Sequence, residues 1–147
     1  MNRIQQIINE IKWKYLSIST FIAFIVSIIG SLGIVSIKEK AFVFWFNNIK
    51  TTSVEVKDMQ QISNNFFDSI YWLPIYIFLY FITQAIASLY LAKNTPGKEL
   101  INCLALGVSC MILIYQFDLV SSISGIIVSM IVSYKVKNNR LNLLNNI

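Results

Sequence analysis

The longest apolar run in the chain, Tyr15–Ile37 (YLSISTFIAFIVSIIGSLGIVSI), carries no charge over 23 positions. As a helix it rises about 34 Å, enough to cross a hydrocarbon core of about 30 Å. Three further apolar segments follow, Ser69–Ala92, Leu100–Phe117 and Leu119–Tyr134, divided by the polar turn Lys93–Glu99 and by Asp118. Each reads as a membrane span. Ahead of the first, residues 1–14 set Ile4, Ile7, Ile8 and Ile11 at helical spacing, with Arg3, Gln5, Gln6, Asn9, Glu10 and Lys12 on the other faces. That pattern predicts a short amphipathic helix in the membrane interface, with Trp13 and Tyr15 at the depth of an aromatic belt. The first apolar run exceeds the roughly 7–15 residues of a signal-peptide core, and no A-x-A-like site follows it, so it reads as an uncleaved span.

Lys38–Asp68 is the one long connection, read as a loop on the far side of the membrane. Within it AFVFWFNN at 41–48 is too short to cross and suits an interfacial dip, while TTSVEV at 51–56 alternates weakly and could be extended. From Asp58, Met59, Ile62, Phe66 and Ile70 follow helical spacing, which predicts a second helix starting outside and running inward, kinked or interrupted near Pro74. The later connections are short and force antiparallel neighbours. The expected fold is an all-α membrane protein, residues 1–147 forming a single domain. It is an up-down four-helix transmembrane bundle with an N-terminal amphipathic interfacial helix, a long outer loop between helices 1 and 2, and a frayed basic tail over 135–147.

Two small-residue stripes recur every four residues: Ser19, Ala23, Ser27 and Ser31 in the first span, and Ser121, Gly125, Ser129 and Ser133 in the fourth. Spacing of four places each set on one helical face, where another backbone can approach closely. The partner face lies within the chain or on a second copy. Gln84, Asn102 and Gln116 are the amides inside the spans, and in hydrocarbon an amide seeks a partner in the bundle interior.

Composition supports the membrane reading. Hydrophobic residues make up 56% of the chain and charged ones only 13%, against about 25% in soluble domains, and mean hydropathy is +0.63. The net charge of +5 does not point to nucleic acid, because the cations sit at the ends of apolar runs and form no basic stripe. Instead it sets an orientation. The side holding both termini and the 93–99 turn carries eight cations against two carboxylates, and the other side four against five. The positive-inside rule then places both termini in the cytoplasm of a plasma-membrane, multi-pass protein. Abundant Ile, Asn and Lys suggest AT-rich coding and a bacterial source.

No enzymatic chemistry emerges. The chain has no histidine, which removes His-based triads and di-histidine metal sites. All seven carboxylates fall in tails, turns or the outer loop, and no Gly-rich phosphate loop is present. Cys103 and Cys110 lie seven residues apart, about 10 Å along a helix, too far for a disulfide and without the neighbours of a metal site. No cofactor or metal is expected. The expected function is therefore non-enzymatic: a small membrane protein acting by protein–protein interaction, as an accessory subunit of a membrane complex or a toxin-immunity-type factor. Beyond the lipid bilayer, its partner is a membrane protein or a second copy. The candidate contact surface is Phe42, Phe44, Trp45, Phe46, Phe66 and Phe67. The alternative is an oligomeric channel or small-solute transporter, with Gln84, Asn102 and Gln116 facing a shared lumen.

Overall fold

In the computed structural model, which describes residues 3–48, 56–114 and 119–145, every regular element is helical. The order is α1 (Arg3–Glu10), α2 (Trp13–Asn48), α3 (Val56–Phe67), a short 3-10 turn at Ile70–Trp72, α4 (Leu73–Asn94), α5 (Glu99–Leu113) and α6 (Leu119–Asn145). Two stretches, Trp13–Asn48 and Gln60–Asn94, are long and apolar enough to cross a membrane. Helix α5 has 15 residues and rises about 22 Å, short of a 30 Å core by itself.

The helices differ from the sequence expectation in four places. Helix α2 does not end at Ile37 but continues through the aromatic segment to Asn48. Beyond Gly33 it meets no further glycine or proline, and Lys38-Glu39-Lys40 are good helix formers, so nothing stops it. The expected outer loop over 38–68 is thereby largely helical, being taken up by the end of α2 and by α3; residues 51–55 of TTSVEV lie outside the described residues. The helix expected from Asp58 breaks at Asp68–Ser69, ahead of Pro74. Proline then sits as the second residue of α4, where a missing N–H costs nothing. Finally, the tail does not fray from Lys135: α6 runs to Asn145, with Val136 packed on the core.

The chain divides into two compact units, Met1–Ser27 with Tyr80–Ile147, and Ile28–Leu79. The core of the first gathers Leu16, Ala23, Ala87, Leu91, Ala92, Cys103, Leu106 and Cys110. Helical spacing puts Ala87 and Leu91 on one face of α4, and Cys103, Leu106 and Cys110 on one face of α5. Small residues let helices close up here. A Cβ added at Gly107 would lie 2.9 Å from Ile126 Cγ1 and 3.3 Å from its Cα, so α5 and α6 meet at the glycine. The turn between α4 and α5 follows from its residues. The Thr95 hydroxyl donates to the Leu91 carbonyl (2.9 Å), the Lys98 N–H donates to the Thr95 carbonyl (3.0 Å), and Gly97 takes the positive φ of 77° that other residues resist.

Gly107→Ala and Gly33→Ala are expected to move stability in opposite directions. Alanine in a helix gains up to about 1 kcal/mol over glycine. At Gly33, where nothing lies within 4 Å, that gain survives. At Gly107 overpacking against Ile126 costs about 1–3 kcal/mol and outweighs it. Thermal unfolding in detergent reads the difference; equal melting temperatures would mean that α5 and α6 yield freely at this point.

Candidate functional site

Three polar features stand out, two in the first unit and one in the second. The first lies on facing sides of α4 and α6. Gln84 Nε2 donates to Ser129 Oγ at 2.7 Å, and the Ser88 hydroxyl donates to the same oxygen at 2.9 Å. Cys103 Sγ–H points to the Ser88 carbonyl at 3.7 Å. All four residues are fully buried. An amide inside an apolar helix must find partners, and serine on the facing helix supplies them at short range. Nearby in sequence, Ser133 closes onto the Met130 carbonyl of its own helix at 2.8 Å. The hydroxyls of Ser19, Thr83 and Ser122 are buried without a partner.

The second feature is centred on Asn102, fully buried at the start of α5. Its Oδ1 accepts from the Lys12 N–H at 2.7 Å, while its Nδ2 donates to the Lys98 carbonyl at 2.8 Å and, at 3.5 Å, to the Glu10 carbonyl. Residues 11 and 12 join α1 to α2, and this joint leaves backbone groups that neither helix can satisfy. One side chain satisfies them from 90 positions away. Around it, Glu10 pairs with Lys98 (2.5 Å) and Glu99 with Arg140 (2.6 Å), whose guanidinium also reaches the Lys93 carbonyl at 3.4 Å. The Glu10–Lys98 pair is exposed and contributes at most about 1 kcal/mol. The carboxylate of Glu99 is buried, so Arg140 is its necessary counter-charge.

The third feature is an aromatic cluster in the second unit. Phe42 is its hub, with ring centroids 5.3 Å from Phe66, 5.4 Å from Phe67, 5.9 Å from Phe46 and 6.1 Å from Trp45. Trp45 stacks on Phe66 at 5.6 Å, and Trp72 meets Phe66 edge-on at 5.6 Å. Below the rings, Lys38 is only 8% exposed, its Nζ 5.0 Å from the Tyr76 centroid and 5.3 Å from that of Trp72. That ammonium donates to the Phe67 carbonyl at 2.8 Å, and Trp72 Nε1–H donates to the Phe66 carbonyl at 2.9 Å. Both carbonyls belong to the last turn of α3, whose end carries partial negative charge, and the Phe66 carbonyl also takes the Ser69 N–H at 3.4 Å. A cation and an indole N–H cap that end.

The residues picked out in the sequence thus separate. Of the stripe in α2, Ser19 and Ala23 are buried and Ser27 and Ser31 half-buried; of the stripe in α6, Gly125, Ser129 and Ser133 are buried, and the side chain of Ser121 lies outside what the structure describes. Gln84 and Asn102 are both buried and hydrogen-bonded, but in different places, and Gln116 lies outside the described residues. Phe42, Trp45, Phe46, Phe66 and Phe67 come together, although on helices instead of a loop, whereas Phe44 turns away and is 74% exposed. Lys38 and Arg140 were not singled out. A lysine at the end of an apolar run reads as an interfacial anchor, and only the four-residue step from Lys38 to Phe42 hints that both face α3.

The geometry holds helices together by hydrogen bonds, ion pairs and rings, and offers no nucleophile with an adjacent base among the described residues. Compared with models of protein families, with curated proteins and with solved structures, the chain matches none.

Proposed function

We propose that the protein is a multi-pass plasma-membrane protein, with both termini cytoplasmic, that acts without catalysis by binding another membrane protein as an accessory subunit or a toxin-immunity-type factor. The observation that carries this reading is that Gln84 and Asn102 are spent on contacts within one copy. Polar side chains bonded to their own chain are poor linings for a lumen, which favours interaction over conduction. The contact surface is the end of α2, where Val43 and Phe44 are exposed beside Glu39, Lys40 and Asn47 around an open groove. An exposed aromatic rimmed by polar residues is the usual make-up of an interface anchor.

Affinity purification in mild detergent tests it. A stoichiometric membrane-protein partner is expected with the native chain, and its recovery falls when Val43 and Phe44 become serine, with melting temperature unchanged because both side chains are exposed. A chain that purifies alone and conducts solute in liposomes would overturn the reading in favour of a channel.

A further inference from the structure

We propose that the groove between α2 and α5 in the first unit seats one acyl chain of an anionic phospholipid, with Lys12 and Lys14 at its mouth holding the headgroup phosphate. The inference rests on the membrane reading above.

The groove has a volume of about 520 Å³, within the range of built ligand sites. Its α2 wall runs from Trp13 to Phe24, a rise of about 17 Å, which is close to half of a 30 Å hydrocarbon core. A slot that starts at an interfacial tryptophan and ends one leaflet deep has the length of a lipid tail. Its walls are hydrocarbon in character, with Leu16 and Phe21 on α2 facing Leu113 on α5. Of the hydroxyls that border it, Thr20 donates to the Leu16 carbonyl at 3.0 Å and Ser109 to the Ala105 carbonyl at 2.9 Å, while Ser17 sits at the exposed rim beside Trp13. The polar groups thus gather at the Trp13 end, and the deeper walls offer methylenes an apolar bed.

Charge argues for an anion at the mouth. Lys12 and Lys14 flank Trp13 and are exposed, and neither has an ion-pair partner among the described residues, because Glu10 is taken by Lys98 and Glu99 by Arg140. Unpaired lysines at the headgroup level attract anionic lipid.

Native mass spectrometry of the full chain, released from mild detergent after incubation with equal amounts of phosphatidylglycerol and phosphatidylcholine of the same acyl chains, tests the proposal. The native chain is expected to keep one phosphatidylglycerol in preference to phosphatidylcholine. Lys12→Gln with Lys14→Gln abolishes the preference. Ser17→Trp, which fills the groove from an exposed rim position, loses the adduct altogether, and Leu113→Trp does the same from the opposite wall. Equal adducts of both lipids on the native chain, an adduct undiminished in both tryptophan variants, or a lipid-free dimer would overturn it. Alkaline carbonate extraction of the source membranes separates the two readings. Release into the supernatant sinks the membrane assignment, whereas a chain that stays in the pellet and shows no headgroup preference sinks only the lipid seat.

Discussion

Asn102→Leu is expected to loosen the joint between α1 and α2 and to lower stability by about 1–3 kcal/mol. Leucine has the same branched four-atom skeleton as asparagine but is bulkier and has neither of its polar ends. The substitution strands the Lys12 N–H, part-buried at the joint, and gives up the long contact to the Glu10 carbonyl; about 1–3 kcal/mol is the cost of a fully buried group left unpaired, and water lowers it here. The Lys98 carbonyl is spared, since the Asn102 backbone N–H also donates to it at 3.2 Å. The loss is local in kind. Hydrogen exchange should accelerate in α1 and the first turn of α2 while the amides of α4 stay protected, and trypsin should gain access at Lys12 and Lys14. Unchanged exchange in α1 would mean that the helix is held by its core contacts instead of by this side chain.

Phe42→Ala should cost about 3 kcal/mol, and Phe44→Ala close to nothing. Phe42 touches four other rings, and truncating a packed phenylalanine costs about 3–5 kcal/mol when burial is complete, less at a half-buried site. Phe44, two positions on, meets none of them and is open to its surroundings. Trp45 borders the hub and Trp72 meets its neighbour Phe66, so their emission should shift to the red in the first variant and stay fixed in the second. Equal losses for both would mean that the rings serve no packing role between α2 and α3.

Much of this was readable from the residues, and the failures have a common cause. The apolar runs and the isoleucine spacing of residues 4–11 announce helices, and a fold without strands among the described residues follows. Gln84 in an apolar segment implied a buried amide, because hydrocarbon offers no other partner. The end of α2 is hidden in the sequence because charge at Lys38-Glu39-Lys40 marks a boundary for hydrocarbon and none for the helix itself. Asn102 could be flagged as buried but not given its task, since its partners lie 90 and 92 residues away and are backbone groups that any sequence supplies. Arg140 stood in an Asn-rich tail that read as frayed. Only the fold brings it to Glu99.

That last meeting sets an order of events in synthesis. Lys98 and Glu99 are consecutive, and one takes Glu10 from near the start of the chain while the other takes Arg140 from near its end. The α4–α5 turn is thus a clasp fastened twice, early and late. The Glu10 side needs nothing beyond residue 98 to form. The buried Glu99 carboxylate must wait for 41 more residues before its counter-charge arrives. Glu99 gains its ion-pair partner only from α6, and the first unit is complete only with the final turns of that helix.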